Sequence, residues 1–286
     1  NYAVLQVLIE ELTDRPLIAL YEERFFRPHE LDAMRVCPFL LDDTRGHAVG
    51  YATREDRLVR AEGVNNVASL AQGGLCGSAL DLARWLRLLA TGRIIDATSF
   101  ARMTTPTRLD DGSETGYGFG VGLVPQDGVR RVGHSGIGFG YSSSAAYYPD
   151  AELTIVVLAN RFGYPDALER QIARRLLALP EPDYGDVGIT PAQRRAWTGR
   201  YDVGMFGWTP TFFERDGRLW FELFGPDTRY ALIRTRDGWL VPETVPDAMR
   251  FRFEETPSGL RLRMQTMGTQ DWSGFASAAP ATKPPK

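Results

Sequence analysis

The rest of the sequence is organised around one glycine-rich stretch, GHSGIGFGYSSS, which covers residues 133–144. It holds one of the three histidines, His134, next to Ser135, and it lies between two segments with the pattern of strands. Small residues leave the backbone open to a reacting carbonyl, and the neighbouring polar groups can donate hydrogen bonds to it. The same residues are also typical of a glycine-rich hairpin turn with His134 at its edge, so both interpretations stay open on local sequence alone.

The composition of the chain excludes several classes of protein. Its 286 residues, 43% of them hydrophobic, are enough for one or two domains with a large core. The 33 basic and 36 acidic residues give a net charge of -3, and no basic run is present that would follow a phosphate backbone, so nucleic acid is not an expected partner. The longest apolar runs, such as residues 153–159, are too short to cross a bilayer, so no membrane span is predicted.

The cysteines and histidines give no sign of a metal or redox cofactor. Cys37 and Cys76 can pair or stay free, and their spacing matches neither a zinc motif nor CxxC. None of the histidines lies in HExxH or another close ligand cluster, so no metal is predicted. Because a helical pattern starts at once after Asn1, we expect a processed or truncated chain, for which a missing leader carries no information about localisation.

Residues 1–180 have the pattern of helices around an antiparallel sheet. Leu5, Leu8, Ile9 and Leu12 share one face of an amphipathic helix, and Ser78 starts what looks like a capping box before another apolar stripe. Residues 35–72 indicate surface connections around short strands. The predicted helices cover 2–13, 17–26, the stripe of Leu82, Ala83, Leu86 and Leu89 after Ser78, about 97–103 and 166–179, the last with a stripe of Leu168, Ile172, Leu176 and Leu179 that packs back. The predicted strands cover 117–123, 129–132, 143–148 and 153–159.

The remaining residues change to a period of two. Asp216-Gly217 and Asp237-Gly238 are strong hairpin signals, and about eight strands indicate a small barrel or sandwich. The predicted fold class is therefore α+β: an antiparallel sheet flanked by helices, followed by a small all-β barrel. The expected domains are a domain of helices and sheet at 1–180, a linker at 181–189, a β-domain at 190–276 and a disordered tail at 277–286.

Two segments of the sequence are candidates for a catalytic nucleophile. An α/β-hydrolase needs G-x-S-x-G, and the segment from Gly133 to Ile137 fails this pattern at its last position. That fold also needs parallel strands with crossover helices, whereas these strands follow one another as hairpins. Cys76, in a tight turn before a helix, is a second candidate nucleophile. A cysteine at the start of a helix is more often a small buried side chain than a catalytic one.

The order of motifs resembles the serine β-lactamase and penicillin-binding-protein-like hydrolases, in particular their class C-like esterase and peptidase branch. The resemblance covers residues 1 to about 178, and residues 190–276 look like the lipocalin-like β-domain that often follows such hydrolases. It is carried by Tyr2-Ala3-Val4-Leu5 with Glu10, Phe26-Arg27-Pro28, Gly73-Gly74-Leu75 with Ser78, Asp81-Leu82-Ala83-Arg84-Trp85-Leu86, Tyr117-Gly118-Phe119-Gly120, His134-Ser135-Gly136, Gly140-Tyr141-Ser142, Pro149-Asp150 and Val156-Val157-Leu158-Ala159-Asn160.

The resemblance implies a nucleophilic serine in S-x-x-K, a tyrosine in Y-x-N and a third motif, Lys/His-Thr/Ser-Gly, on the strand beside the site. The third motif matches His134-Ser135-Gly136. His134 and Ser135 would then hydrogen-bond the carboxylate or carbonyl side of the substrate and the proton relay. Gly136 would keep the strand open to substrate, and the Ile137 N–H would be one of the two oxyanion donors.

The first two motifs of that family are missing from the sequence. The only lysines are Lys283 and Lys286, and neither has a serine three residues before it. Tyr2 is not followed by the pattern of Y-x-N either. By the resemblance, both motifs belong before residue 1, so the chain is expected to be an inactive C-terminal part of the hydrolase domain plus its β-domain, with the missing N-terminal segment as a partner.

Three hypotheses about function remain at this point. The first is a fragment of a serine hydrolase that acts through an acyl-enzyme on an ester, a D-amino-acid peptide or a β-lactam. The second is a non-catalytic relative whose groove or barrel binds a ligand, and the third is unrelated chemistry such as a catalytic Cys76. The resemblance implies a periplasmic or secreted location, which the composition does not test.

Overall fold

The computed structural model describes residues 1–37, 46–54, 57–61, 70–138, 140–203, 209–223, 225–266 and 270–276. The helices in these ranges are α1 Tyr2–Thr13, α2 Leu17–Tyr21, α3 Ala79–Ala90, α4 Ala97–Met103, α5 Pro165–Leu176 and α6 Pro191–Trp197. The strands are β1 Arg35–Val36, β2 Tyr51–Arg54, β3 Arg57–Arg60, β4 Leu75–Cys76, β5 Val132–Gly138, β6 Tyr141–Tyr148, β7 Leu153–Ala159, β8 Gly199–Asp202, β9 Thr211–Arg215, β10 Arg218–Glu222, β11 Tyr230–Arg234, β12 Leu240–Pro242, β13 Met249–Thr256, β14 Gly259–Thr266 and β15 Gln270–Ala276.

The chain forms two compact units. The first contains residues 1–52, 58–106 and 117–161, and the second contains residues 53–57, 107–116 and 162–286. Helices lie beside an antiparallel sheet in the first unit, and strands close into a barrel in the second. The predicted α+β class, a sheet flanked by helices followed by a small barrel, is confirmed. The tail predicted at 277–286 lies outside the described residues.

Helix α3 starts at the predicted cap, but the capping box is only half formed. The Asp81 N–H donates to Ser78 Oγ at 3.0 Å, as the sequence predicts. The Asp81 carboxylate instead accepts from the backbone N–H of Ala33 at 2.7 Å, which ties the segment after α2 to the start of α3. Leu86 and Leu89 of the predicted stripe are buried. The helix therefore joins the core of the first unit by the face that its periodicity predicts.

Helix α1 has the predicted bounds but leaves its apolar face uncovered. Leu5 is 47% exposed, Leu8 51% and Leu12 77%, and the only buried residue of the helix is Gln6. The Gln6 side chain accepts from the Ala71 N–H at 3.2 Å. The periodicity thus predicted the helix correctly. An amphipathic helix usually packs its apolar face against the core, but the described residues do not cover this face of α1.

The segment predicted as one helix at 17–26 changes its winding. It is α-helical as α2 and continues as a π-helical turn from Glu22 to Phe26. No helix in the described ranges is both long and apolar enough to cross a membrane.

The sheet of the first unit has the order β5-β6-β7, with every neighbouring pair antiparallel. The glycine-rich stretch is therefore a strand over 132–138 rather than only a hairpin turn, and Ser135 lies opposite Ser144. The strand predicted at 129–132 is wrong except for its last residue. A glycine is required at Gly133, because a Cβ there would lie 2.5 Å from the Ala145 carbonyl oxygen of β6.

The strand predicted at 117–123 is also wrong. These residues form a tight turn, in which Tyr117 and Gly122 make an isolated bridge. Gly120 has a φ of +77°, which interrupts any extended strand and which side chains with a Cβ rarely adopt. The alternating pattern indicated an extended segment, but three glycines in this stretch, Gly118, Gly120 and Gly122, allow the chain to turn back on itself.

A disulfide joins Cys37 to Cys76 across the short antiparallel pair β1 and β4. The two cysteines are 39 residues apart in the sequence, so the bond closes a long loop. This pairing resolves the alternative that the sequence left open. Because Cys76 has no free thiol in this state, the hypothesis of a catalytic Cys76 is not supported.

Removal of this disulfide is expected to lower the free energy of unfolding by about 2–4 kcal/mol, since the unfolded chain regains the freedom of the open loop. The measurement is urea unfolding of the Cys37→Ser/Cys76→Ser variant, with the parent protein under oxidising and reducing conditions as controls. A parent protein whose unfolding midpoint is the same with and without reductant would contradict the prediction.

The second unit contains a closed eight-stranded barrel in the order β10-β11-β12-β13-β14-β15-β8-β9. Asp216 and Gly217 both have positive φ at the β9–β10 turn, as the predicted hairpin requires. The barrel interior is filled by side chains rather than left open. The fully buried members of this core include Phe212, Leu219, Phe221, Leu240, Phe251, Leu262 and Met264.

Helix α5 buries a different face from the one predicted. Leu168 is 48% and Leu176 63% exposed, so the expected apolar stripe is not the packing face. The buried face includes Glu169 and Arg174, and the Arg174 guanidinium donates two hydrogen bonds to Asp247, at 2.9 and 3.3 Å. Burial of charged side chains is tolerated when they are paired, and the spacing of leucines does not reveal such partners.

Candidate functional site

The outer edge of β5 carries the predicted third motif. The Gly133 N–H donates to the Gly122 carbonyl at 3.1 Å, and the Gly122 N–H donates to the Gly133 carbonyl at 2.7 Å. Gly133 therefore directs its backbone groups away from β6. Since residues two apart on a regular strand direct their backbone groups to the same side, the N–H groups of Ser135 and Ile137 also face this outer edge.

The side chains along this strand alternate between two faces. His134 and Gly136 lie on one face, and Ser135 and Ile137 lie on the other. His134, Gly136 and Ile137 are exposed, Ile137 to 50%, and Ser135 is partly buried. The structure thus brings the four predicted site residues together on one accessible edge, while their catalytic roles remain predictions.

The imidazole of His134 is held at both nitrogens. Its Nδ1 lies 2.5 Å from the Ser135 carbonyl oxygen, and its Nε2 lies 3.0 Å from the hydroxyl of Tyr117. The Tyr117 ring also packs edge-on against the imidazole, with 5.7 Å between the ring centroids. These contacts give the imidazole a defined orientation although its side chain is exposed.

Tyr117 is the site residue to which sequence reasoning assigned no role. Burial, and then the charge and hydrogen bond of the neighbouring Tyr2, raise the pKa of the Tyr117 phenol to about 12. The phenol is therefore protonated at neutral pH and remains a hydrogen-bond donor. Tyr117 is the first residue of the motif Tyr117-Gly118-Phe119-Gly120, which contributes to the family resemblance. That motif alone does not indicate a contact with His134.

The described residues contain no cluster of three or more histidine, cysteine, aspartate or glutamate side chains arranged to hold a metal ion. The sequence also contains no S-x-x-K. The β5 edge carries outward N–H groups beside an oriented imidazole. Such an arrangement can bind a carbonyl oxygen as negative charge develops on it.

The family described as Beta-lactamase matches residues 1–179, which is more than half of the chain. The chain belongs to the β-lactamase family. The matched residues include β5 and the helices of the first unit. The predicted resemblance to serine β-lactamases and penicillin-binding proteins is therefore confirmed. The lipocalin-like character of the β-domain stays a prediction.

Three relatives show how far this β-lactamase-family chain resembles known proteins. A D-aminopeptidase of Brucella canis is 27% identical over 184 residues, which cover 63% of this chain and 34% of the relative. An octameric penicillin-binding protein homologue of Pyrococcus abyssi is 19% identical with a TM-score of 0.57, covering 96% of this chain and 63% of that one. A D-stereospecific amidohydrolase of Streptomyces is 23% identical with a TM-score of 0.52, covering 60% and 52%.

The two solved structures support the fold alone at these identities. The chain spans about a third of the length of the curated D-aminopeptidases it matches. The family match and these relatives therefore establish the β-lactamase and penicillin-binding-protein fold for this region.

Proposed function

We propose that this chain is the C-terminal part of a serine hydrolase that acts through an acyl-enzyme, with its nucleophilic Ser-x-x-Lys upstream of residue 1. The observation that carries the proposal is the outward direction of the Ile137 N–H on the β5 edge, next to the oriented His134. An N–H that is not used by the sheet and faces an accessible edge is suited to a developing oxyanion. This chain alone is expected to be inactive.

Each residue of the edge has one role in the proposed reaction. The serine attacks the carbonyl carbon of the substrate, and the carbonyl oxygen becomes an oxyanion that accepts from the Ile137 N–H. His134 and Ser135 hydrogen-bond the carbonyl side of the substrate and the proton relay, and Gly136 leaves room for the substrate to lie along the strand. As the tetrahedral intermediate collapses, the bond to the amine or alcohol breaks, and this leaving group takes the proton that was removed from the serine. Water then attacks the acyl-serine, which releases the acid and restores the serine hydroxyl.

Uncovered apolar surface in the first unit supports an upstream segment as partner. Strand β7 has the apolar sequence of a strand covered on both faces, yet Ile155 is its only buried residue and Leu158 is 44% exposed. Its sheet partner is β6 on one side, and it is an edge of the three-stranded sheet. The exposed face of α1 adds Leu8 and Leu12. A segment that adds a strand to β7 and covers α1 would bury this surface.

The proposed substrates are D-amino-acid amides or peptides. Esters and β-lactams are alternative substrates, because they can acylate a serine in the same way. The matched curated relatives are D-aminopeptidases, and two solved relatives are a D-stereospecific amidohydrolase and a D-amino acid amidase of Ochrobactrum anthropi. The Cys37–Cys76 disulfide favours an oxidising compartment, in accord with a periplasmic or secreted location.

The alternative is a non-catalytic member of the family that binds a ligand. The barrel is the weaker candidate for such a ligand, because side chains such as Phe251 and Met264 fill the described interior. The edge of β5 is accessible in either case. Labelling of a serine by a covalent probe separates the two functions, since a binding protein has no activated nucleophile.

The change His134→Ala in the full-length gene product is expected to lower kcat/KM for a D-amino-acid amide by at least about tenfold, because a positioned proton-transfer group typically contributes about 10²–10⁴-fold. The variant should remain folded, because the His134 side chain is exposed. Steady-state kinetics with circular dichroism as the control for folding provide the measurement. Parental turnover in this variant would leave His134 as a structural residue of the strand.

A further inference from the structure

Gly136 leaves a gap on the face of β5 that also carries His134, and a hydroxyl of the neighbouring strand borders this gap. Gly136 lies directly opposite Ser143 of β6, so the two positions share one face of the sheet. A Cβ at Gly136 would lie 2.8 Å from Ser143 Oγ, which is closer than a real Cβ approaches a neighbouring atom. The Ser143 hydroxyl therefore lies against the exposed backbone of Gly136, inside the candidate site.

The Ser143 hydroxyl differs from the hydroxyls beside it on β6. Ser142 and Ser144 face the opposite side of the sheet and are buried, and Ser142 Oγ donates to the Arg161 carbonyl at 2.8 Å. No residue in the described ranges hydrogen-bonds the Ser143 side chain, which is only partly buried. Within those ranges, the buried polar side-chain atoms without a partner are all arginine nitrogens, so the Ser143 oxygen is accessible to a ligand.

A substrate on the β5 edge would cover this hydroxyl. The Ile137 N–H, the proposed oxyanion donor, belongs to the peptide bond that joins Gly136 to Ile137, so a carbonyl oxygen held there brings its α-carbon next to Gly136. A hydroxyl that is covered without gaining a partner costs free energy, so the covering group should carry a hydrogen-bonding atom. In a D-amino-acid amide, the polar substituent of the α-carbon is the α-amino group.

We propose that Ser143 binds the α-amino group of the substrate and thereby selects amino-acid amides over amides that lack this group. This inference rests on the proposed function. An ammonium group has donors only, whereas the hydroxyl oxygen has lone pairs, so the ammonium donates to Ser143 Oγ. Ser143 determines specificity in this way and takes no part in making or breaking bonds.

The change Ser143→Ala removes the hydroxyl and keeps a small side chain on β6. In the full-length protein it is expected to lower kcat/KM for D-alanine p-nitroanilide about tenfold, the size of one hydrogen bond to a charged group. The value for propionyl p-nitroanilide should stay the same. Because these two substrates differ only in the α-amino group, the change in their ratio isolates the proposed contact.

Two further variants separate this contact from general damage to the strand. Gly136→Ala should lower the same ratio, because the new Cβ displaces the Ser143 hydroxyl. The matched control is Ser142→Ala, which removes a hydroxyl from the opposite face of β6 and breaks its bond to the Arg161 carbonyl. This control should keep the parental ratio, and circular dichroism should show that each variant is folded.

An unchanged ratio in Ser143→Ala would overturn the inference, and so would an equal loss for both substrates, while hydrolysis of both by the parent would leave the proposed function in place. If the parent hydrolyses neither substrate, the proposed function fails, and calorimetric titration with D-alaninamide and propionamide decides the inference. Preferential binding of D-alaninamide that is lost in Ser143→Ala would support it. Equal binding of the two amides, or binding of neither, would overturn it.

Discussion

The change Ile137→Pro in the full-length protein is expected to lower kcat by about 10²–10³-fold, because it deletes an oxyanion donor without deleting a bond of the sheet. The N–H of Ile137 faces the outer edge of β5, in the same direction as the N–H that Gly133 donates to Gly122. Proline is tolerated in strands where the N–H points away from the ladder. Proline also keeps the preceding Gly136 in the extended conformation that it already has.

The matched control for this experiment is Ile137→Val, which changes the side chain and keeps the N–H. It should retain parental kcat, and both variants should unfold at similar urea concentrations. If Ile137→Pro is folded and keeps its kcat within about threefold of the parent, the outer edge of β5 is not the oxyanion site.

The change Asp247→Ala is expected to lower the free energy of unfolding of the second unit by about 3 kcal/mol, because it leaves a buried guanidinium without its counter-charge. The Arg174 side chain is 4% exposed and that of Asp247 16% exposed, and the two form a pair of hydrogen bonds. The Tyr184 hydroxyl also donates to Asp247 at 2.7 Å. One substitution therefore removes an acceptor shared by α5 and the segment before the barrel.

The control for Asp247→Ala is Asp183→Ala, which removes the same charge from an exposed pair. Asp183 and its partner Arg236 are 71% and 75% exposed, so solvent already screens their attraction and a much smaller loss is expected. Urea unfolding followed by tryptophan fluorescence gives both values. Equal losses in the two variants would contradict the role assigned to the buried pair.

The sequence predicted most elements of the fold because their signals are local. The cap at Ser78 predicted α3, and the Asp216-Gly217 turn predicted the β9–β10 hairpin, since caps and tight turns depend on a few adjacent residues. The faces of α1 and α5 were harder to predict. The buried face of α5 depends on the distant Asp247, and no local pattern reveals such a partner.

The sequence predicted only the part of the candidate site that has a local signal. The stretch from His134 to Ile137 has a recognisable sequence, but whether it is a turn or a strand depends on its pairing with β6. Tyr117 lies 17 residues before His134, and the two meet because the intervening chain returns to β5 through Gly122. Its contact with the imidazole required the tertiary structure.

The central claim, a serine hydrolase whose nucleophile lies outside residues 1–286, is tested most directly with a fluorophosphonate probe. The native gene product is treated with the probe, its intact mass is measured before and after, and the labelled peptide is sequenced. We predict a mass well above 31.9 kDa and one label on a serine three residues before a lysine. A native mass equal to that of residues 1–286, with no label, would contradict the account and favour a binding protein.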